Sequence, residues 1–210
     1  HDFVVNSIDC EGCGVCHYFC PAGAVDFPLN TCGEWFISAT RFGPMAHARL
    51  GIAEENSGRL VTLIRQQGKL LAEQNNLDLL LTDGPPGIGC PVIAAAAGAD
   101  LAVVVTEPTL AGVHDLKRIL QTTMHFRIPA LVVINKADIY PQGTAEIGTI
   151  CAELGIEVLG EIPFDPTVTE AMLNGQPVTA YQPAAPASQA LAVIWQSVAA
   201  RLVATGASHD

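Results

Sequence analysis

Four cysteines near the start of the chain carry the most specific chemical signal in the sequence. They stand three, three and four residues apart, and a proline follows the last of them: Cys10, Cys13, Cys16, Cys20 and Pro21. This is the spacing C-x2-C-x2-C-x3-C-P, in which three thiolates reach one cubane from a single tight loop. The pattern predicts a [4Fe–4S] site whose fourth thiolate can cross to a second cluster.

Other uses of these thiols fit less of the pattern. Cys13-Gly-Val-Cys16-His17 also satisfies C-x-x-C-H, the attachment motif of c-type haem, but haem leaves the two outer cysteines without a role. A zinc site stays open, although zinc sites usually pair two separated C-x2-C arms. A disulfide framework is disfavoured because the chain has seven cysteines, an odd number. Cys32 is a further candidate cluster ligand.

An aspartate and a glycine-bearing loop follow the apolar run at residues 77–81, in the order Asp83-Gly-Pro-Pro-Gly87. A carboxylate at a strand tip followed by such a loop is a Walker-B arrangement. Asp83 is therefore a candidate ligand of Mg²⁺, directly or through water. Gly87 would let the loop move toward a terminal phosphate. The alternative for Asp83 is an ordinary capping or turn aspartate.

The tetrad Asn135-Lys136-Ala137-Asp138 follows the apolar run at residues 130–134. An N-K-x-D tetrad at a strand end reads a purine base in many P-loop proteins. The Asn135 amide can pair with a ring nitrogen or an exocyclic group, and the Asp138 carboxylate can accept from base N–H groups. The tetrad alone does not decide between adenine and guanine.

Two further strand-end loops contain candidate residues. Glu107 follows the run at 101–105, where it would position a water or a cluster-side contact; the alternative is a turn capped by Thr109. Pro163 and Asp165 follow the run at 157–160 and would lie over the base. Their alternative is a helix-entry turn with Asp165 as N-cap.

The elements that must position these residues alternate along the chain. Strands are predicted at 77–81, 101–105, 130–134 and 157–160, and helices at 60–74, 94–97, 110–124, 144–154 and 187–203. Continuous β-branched runs are typical of strands covered on both faces. The pattern predicts an α/β fold with a doubly wound, mostly parallel sheet, whose ligands bind beyond the carboxyl ends of the strands. Before this part, residues 35–50 are expected to form a hairpin.

The composition and net charge of the chain argue against some classes of binding partner. The chain has 210 residues, of which 50% are hydrophobic and 15% charged, and its net charge is −11. A charge of this sign argues against nucleic acid and anionic membranes as partners. No run of 18 or more apolar residues occurs, so no membrane span is expected. Reduced thiols suit the cytoplasm, and Cys90 and Cys151 are expected to be small buried apolar residues.

Taken in order, the cysteine run, Asp83-Gly-Pro-Pro-Gly87 and Asn135-Lys-Ala-Asp138 resemble the MinD-superfamily P-loop ATPases that contain an inserted ferredoxin domain. Further matching stretches are residues 40–45, 51–58, 89–91 and 105–109. The resemblance implies ATP and Mg²⁺ on a doubly wound sheet, [4Fe–4S] clusters in the insertion, and homodimers that enclose nucleotide. It implies Asp83 as the Walker-B carboxylate, Gly87 as the switch-loop glycine, Asn135 as the base contact, and the four cysteines as the second of two cysteine runs.

The sequence departs from this family in two places. No G-x-x-x-x-G-K-[ST] occurs in it, and the first cysteine run is missing. We therefore expect an N-terminally truncated chain that binds ATP poorly, in which residues 1–45 form a partial ferredoxin-like module and residues 46–210 the C-terminal part of the ATPase domain.

The leading functional hypothesis is an ATPase, active in a longer form, that couples nucleotide turnover to electron transfer with a redox partner. The alternatives are a cluster carrier or assembly scaffold that serves client proteins, and a non-catalytic ferredoxin-like fragment.

Overall fold

The computed structural model describes residues 5, 10, 13–28, 33–51 and 58–206, with side chains up to residue 203. The chain divides into two compact units, His1–Leu81 and Thr82–Asp210. The boundary predicted after residue 45 falls inside a strand of the first unit, Gly43–Leu50. The division into a cluster module and an ATPase part stays a prediction.

The first unit contains two helices and a hairpin: α1 (Val15–Phe19), β1 (Gly33–Thr40), β2 (Gly43–Leu50) and α2 (Gly58–Gln74). The strands pair in antiparallel fashion from Gly33 opposite Leu50 to Thr40 opposite Gly43. The turn is closed by the Thr40 hydroxyl, which donates to the carbonyl of Gly43 at 2.7 Å. The predicted hairpin and the helix up to residue 74 are confirmed.

The predicted strand at residues 77–81 is wrong. The segment has no strand structure, and Leu81 exposes 81% of its surface. An apolar run becomes a strand only beside another strand that takes up its backbone hydrogen bonds, and no described strand pairs with this one. Its Leu80 lies instead against α2, where a Cβ placed on Gly68 would come within 3.1 Å of the leucine.

The second unit alternates helices and strands, with the bounds α3 (Cys90–Ala96), β3 (Ala102–Thr106), α4 (Leu110–His125), β4 (Ala130–Asn135), α5 (Pro141–Glu153), β5 (Val158–Ile162), α6 (Pro166–Leu173), α7 (Val178–Tyr181) and α8 (Pro186–Gly206). Three strands form a parallel sheet in the order β3-β4-β5. The strands and helices predicted after residue 100 are confirmed to within a few residues.

Both faces of the middle strand, β4, are covered, as its continuous apolar run predicted, whereas Val103 and Val105 on one face of β3 are exposed. Along β4, side chains point alternately to opposite faces. Val132 and Ile134 join a cluster with α4 and α5, whose buried members include Leu116, Leu120, Ile147 and Cys151. Val133 faces the other way, onto Ile194 and Val198 of α8. The middle strand is thus fixed from both sides, and so is the loop that leaves its carboxyl end.

The two cysteines of the second unit differ in burial. Cys151 is 1% exposed and belongs to the core cluster, as predicted. Desolvation in this apolar setting raises the pKa of the Cys151 thiol. Cys90 is exposed, so its predicted burial is wrong. It is the first residue of α3.

In the described part of the chain, no helix combines the length and the apolar character that crossing a membrane requires.

Candidate functional site

The loops that follow β4 and β5 meet at the carboxyl edge of the parallel sheet. The backbone N–H of Ala137 donates to the carbonyl of Ile162 at 3.0 Å, and the Oδ1 atom of Asp138 accepts from the backbone N–H of Phe164 at 2.7 Å. The N-K-x-D tetrad is therefore fastened at two points to the end of the neighbouring strand. A loop held in this way presents its side chains in a fixed direction.

Glu107 joins this group from the end of β3. Its Oε1 atom lies 2.8 Å from the Nζ atom of Lys136 and accepts from the Nδ2 atom of Asn135 at 3.3 Å. The Lys136 and Glu107 side chains are 41% and 39% exposed, so water screens the ion pair and its net worth is small. Its main effect is geometric, since one carboxylate fixes an ammonium and an amide together.

The backbone of Lys136 has a left-handed conformation, with φ at 53°. A residue with a Cβ pays about 1–2 kcal/mol to adopt this conformation. Two contacts hold it: the ion pair to Glu107 and the N–H of Ile139, which donates to the carbonyl of Lys136 at 3.1 Å. Strain of this kind is often found at functional sites, where surrounding contacts maintain it.

A tight turn positions Glu107. Thr109 caps α4, because its side chain accepts from the N–H of Gly112 at 3.0 Å, and the Thr106 hydroxyl donates to the carbonyl of Gly112 at 3.2 Å. A Cβ on Gly112 would lie 2.2 Å from the carbonyl oxygen of Glu107, so only glycine fits there. The turn capped by Thr109, one of the two alternatives for this loop, is confirmed, and the Glu107 side chain has a partner in addition.

Asp165 makes the contacts of a helix-entry turn. Its Oδ1 atom accepts from the N–H of Thr167 at 2.9 Å, and its Oδ2 atom accepts from the N–H of Ala187 at 3.2 Å. Hydrogen bonds from Thr167 and Ala187 hold the pKa of the Asp165 carboxyl below its usual range. The carboxylate thus caps α6 and holds the start of α8, and these contacts give its predicted part in nucleotide binding no support. Pro163 is partly buried just before it.

Asp83, the predicted Mg²⁺ ligand, and Gly87, the predicted switch-loop glycine, lie in the loop before α3. Asp83 is exposed. Gly87 has φ at 87°, and a Cβ there would meet nothing within 4 Å. The backbone conformation at position 87 therefore favours glycine, while a moving switch loop at Gly87 and Mg²⁺ binding by Asp83 stay predictions.

The cysteine run lies around α1. Cys10, Cys13 and Cys16 are exposed, and Cys20, the C-cap of α1, is half-buried. Among the described residues no group of three or more His, Cys, Asp or Glu side chains is gathered closely enough to hold a metal ion. The convergence of the four thiols on a cluster therefore stays a prediction, and Cys32 lies outside the described residues.

The backbone around Cys20 favours the thiolate form of this residue. Its Sγ atom accepts from the N–H of Ala24 at 3.4 Å, and hydrogen bonds from the backbone N–H groups of residues 24, 22, 23 and 25 lower the pKa of the thiol. The thiolate is the form that binds iron, so the loop that follows α1 favours the ligand state at this position.

His17 contacts two residues of the loop that follows α1, Val25 and Phe27. The Nδ1 atom of His17 lies 2.5 Å from the carbonyl of Val25, and its ring stacks on Phe27 with centroids 5.8 Å apart. Phe27 also lies against Gly14, whose φ is 71°. The histidine beside the cysteines thus shapes the loop, and the c-type haem alternative is not tested by these contacts.

The contacts of Glu107 with Asn135 and Lys136 were not predicted from the sequence. The predicted parallel strands could have indicated them, because parallel strands place equivalent ends side by side. In the observed register Thr106 lies opposite Ile134, so the residues that follow, Glu107 and Asn135, are neighbours.

The chain is similar to known proteins both in sequence and in fold. The family model described as ParA, NUBPL iron-transfer P-loop NTPase, matches residues 62–199, more than half of the chain. An uncharacterised protein of Methanocaldococcus jannaschii is 30% identical over 82% of this chain and 57% of its own length. A cytosolic Fe-S cluster assembly factor, the Nubp1 homolog of Drosophila grimshawi, is 33% identical over 50% of this chain and 40% of its own length.

An iron-sulfur cluster carrier protein of Aquifex aeolicus is 33% identical over 51% of this chain and 33% of its own length. The chain thus spans between a third and somewhat more than half of these relatives. Among solved structures, the septum site-determining protein MinD from Pyrococcus horikoshii, complexed with Mg-ADP, superposes with a TM-score of 0.55. The match covers 70% of this chain and 58% of MinD, at 20% sequence identity, and it shows a shared fold.

The family match, the parallel sheet flanked by helices and the polar loops at its carboxyl edge agree with one another. The chain belongs to the ParA family of P-loop NTPases, in the group described as NUBPL-type iron-transfer proteins.

Proposed function

We propose that this chain takes part in the nucleotide-dependent handling of an iron–sulfur cluster, with a purine nucleotide at the carboxyl edge of the sheet and the cluster on the N-terminal thiols. The observation that supports it most directly is the contact group at the strand ends. There Asn135, Lys136 and Asp138 are held by Glu107 and by the backbone of Phe164.

The nucleotide part of the proposal starts from the chemistry of that edge. An amide and a carboxylate, both fixed by neighbours, provide the donors and acceptors that a purine base requires. Ligands of open α/β sheets bind at this end of the strands. The related fold of MinD from Pyrococcus horikoshii contains Mg-ADP. We place ATP with Mg²⁺ here, the metal at Asp83 and the moving loop at Gly87.

The cluster part depends on the cysteines. Their spacing is that of a [4Fe–4S] run, and the amides around Cys20 favour its thiolate. Relatives described as a cluster carrier and a cytosolic cluster assembly factor support a [4Fe–4S] unit bound as cargo and passed to a client protein. Exposed thiols at Cys10, Cys13 and Cys16 suit transfer, because an acceptor must reach the cargo.

The second candidate is electron transfer. The ferredoxin spacing of the cysteines favours it, because that spacing is typical of clusters that remain bound through redox cycles. In both proposals the protein acts as a homodimer in the cytoplasm, and its partner is a redox protein or a cluster client.

The first experiment tests whether the iron–sulfur cluster binds. The 210-residue chain is reconstituted anaerobically with iron and sulfide, and iron, acid-labile sulfur and visible absorption are measured. We expect Cys13→Ser and Cys16→Ser to lose most of the iron, while Cys90→Ser, an exposed thiol outside the run, retains it. A colourless wild-type sample without acid-labile sulfur would contradict the proposal.

The second experiment separates carrier from redox protein. The reconstituted chain is mixed with an apo-ferredoxin, with and without Mg-ATP, and is separately taken through cycles of reduction and reoxidation. A carrier loses its cluster to the acceptor, and Asn135→Ala removes any effect of nucleotide. A redox protein keeps its cluster in both treatments.

A further inference from the structure

Glu107 contacts two side chains of the N-K-x-D tetrad. It holds the Lys136 ammonium at 2.8 Å and takes one N–H of Asn135 at 3.3 Å. The strand register puts it there, since Thr106 and Ile134 pair directly before the two residues. This contact restricts how Asn135 can meet a purine.

The Asn135 amide has two N–H donors and one carbonyl acceptor. Once Glu107 occupies one N–H, the amide offers a single donor beside a single acceptor. Adenine presents N7, an acceptor, next to its N6 amino group, a donor, whereas guanine presents two acceptors, N7 and O6. The held amide is complementary to adenine, and a guanine would leave one of its acceptors facing the Asn135 carbonyl.

A hydrogen bond also limits how Asp138 can contact a purine base. Its Oδ1 atom is directed to the N–H of Phe164 at 2.7 Å. A carboxylate that reads guanine accepts from two base N–H groups at once, which requires both oxygens to face the base. With one oxygen turned to the backbone, Asp138 is poorly placed for that role.

We propose that Glu107 is a positioning residue that sets the choice of purine, by holding the Asn135 amide in the orientation that matches adenine and opposes guanine. The inference depends on the proposed nucleotide site. It gives Glu107 a role in selectivity, distinct from a general contribution to stability.

The test compares AMP and GMP, which share the sugar and the phosphate, so that the ratio of their dissociation constants reports the base alone. Both are titrated into the ¹⁵N-labelled 210-residue chain, and binding is followed at the backbone amides of Ala137 and Phe164. The variants are Glu107→Ala and Glu107→Gln. The control is Glu153→Ala, which removes an exposed carboxylate at the end of α5.

We expect the wild type to prefer AMP and Glu107→Ala to lower the AMP preference about fivefold, the effect of one net hydrogen bond. Glu107→Gln keeps a carbonyl that can accept from Asn135, so it should restore part of the preference. Glu153→Ala should match the wild type. The side-chain N–H signals of Asn135, one bonded and one free in the wild type, should become more alike in Glu107→Ala.

Two outcomes would overturn the inference, and they are distinguishable. If the wild type prefers AMP and Glu107→Ala keeps the same ratio, Glu107 has no part in selectivity, although the nucleotide site stands. If neither AMP nor GMP shifts Ala137 and Phe164 in the wild type, the nucleotide site is wrong and this inference falls with it.

Discussion

Asp138 and Phe164, which are 26 residues apart in the sequence, connect two loops. The backbone N–H of Phe164 donates a hydrogen bond to the Oδ1 atom of Asp138 at 2.7 Å. A second bond, from Ala137 N–H to the carbonyl of Ile162 at 3.0 Å, runs alongside it. The ends of β4 and β5 are thereby joined beyond the last strand pair. These two hydrogen bonds to the end of β5 hold the loop that contains the proposed base contacts.

The first prediction concerns this connection. Asp138→Ala removes the acceptor and leaves the Phe164 N–H to water, so hydrogen exchange at Phe164 should become faster. Because the bond is exposed, the free energy of unfolding should fall by no more than about 1 kcal/mol. Exchange measured by NMR and urea unfolding check both effects. Asp100→Ala, which removes another exposed carboxylate, is the control, and unchanged exchange at Phe164 would contradict the assignment.

The second prediction compares two glycines of α5. A Cβ on Gly143 would lie 2.6 Å from the ring of Tyr140 and 2.8 Å from the carbonyl oxygen of Pro108, while a Cβ on Gly148 meets nothing within 4 Å. Gly143→Ala must displace backbone next to the loop of Glu107 and should destabilise the protein by about 1–3 kcal/mol. Gly148→Ala should stabilise it by up to about 1 kcal/mol, because alanine favours a helix.

Urea unfolding of the two glycine variants measures the difference directly. Since both substitutions add the same methyl group to the same helix, a general effect of helix propensity would move them in the same direction. Equal stabilities would show that the contact between α5 and the β3-α4 loop is loose.

Much of the second unit was predictable because each of its elements has a local signal. The runs at 101–105 and 130–134 are β-branched and continuous, and Pro141 and Pro166 stand in the first turns of α5 and α6. The run at 77–81 has the same apolar character, yet it is no strand. Sequence shows that a segment can pair, whereas only the presence of a partner strand decides whether it does.

The site was predictable to a smaller extent. The tetrad was found from its own pattern, but its partner Glu107 is 28 residues away and depends on strand register. For Asp165 the local pattern allowed two roles, and the second carboxylate contact, with the N–H of Ala187, comes from a helix 22 residues further on. Contacts across the sheet edge depend on how neighbouring strands are aligned, which the sequence around each residue does not show by itself.

The third prediction uses the lowered pKa of Asp165. The folded state holds the charged carboxylate, so the stabilisation is complete above the unfolded pKa, about 3.9, and is lost as the pH falls through the folded pKa. Asp165→Asn puts an amide donor opposite one of the two N–H groups and cannot ionise. The variant should be less stable than the wild type at neutral pH, and this difference should shrink in acid.

Urea unfolding at several pH values between neutral and strongly acidic tests this third prediction. Asp100→Asn, at an exposed carboxylate, should change stability little at any pH. A difference between Asp165→Asn and the wild type that stays constant down to strong acid would show that the carboxylate charge contributes nothing.

The fourth prediction concerns the thiol of Cys20, whose pKa is lowered by the amides of the loop that follows α1. In the cluster-free chain a lower pKa means more thiolate near neutral pH, and the thiolate is the species that reacts with iodoacetamide. The rate of alkylation at Cys20, followed by mass spectrometry, should therefore rise with pH around a midpoint below the ordinary thiol value of about 8.5. In urea the loop is lost and the midpoint should return to that value. The same midpoint with and without urea would mean that the amides do not hold the thiolate, and the structural support for Cys20 as a cluster ligand would be lost.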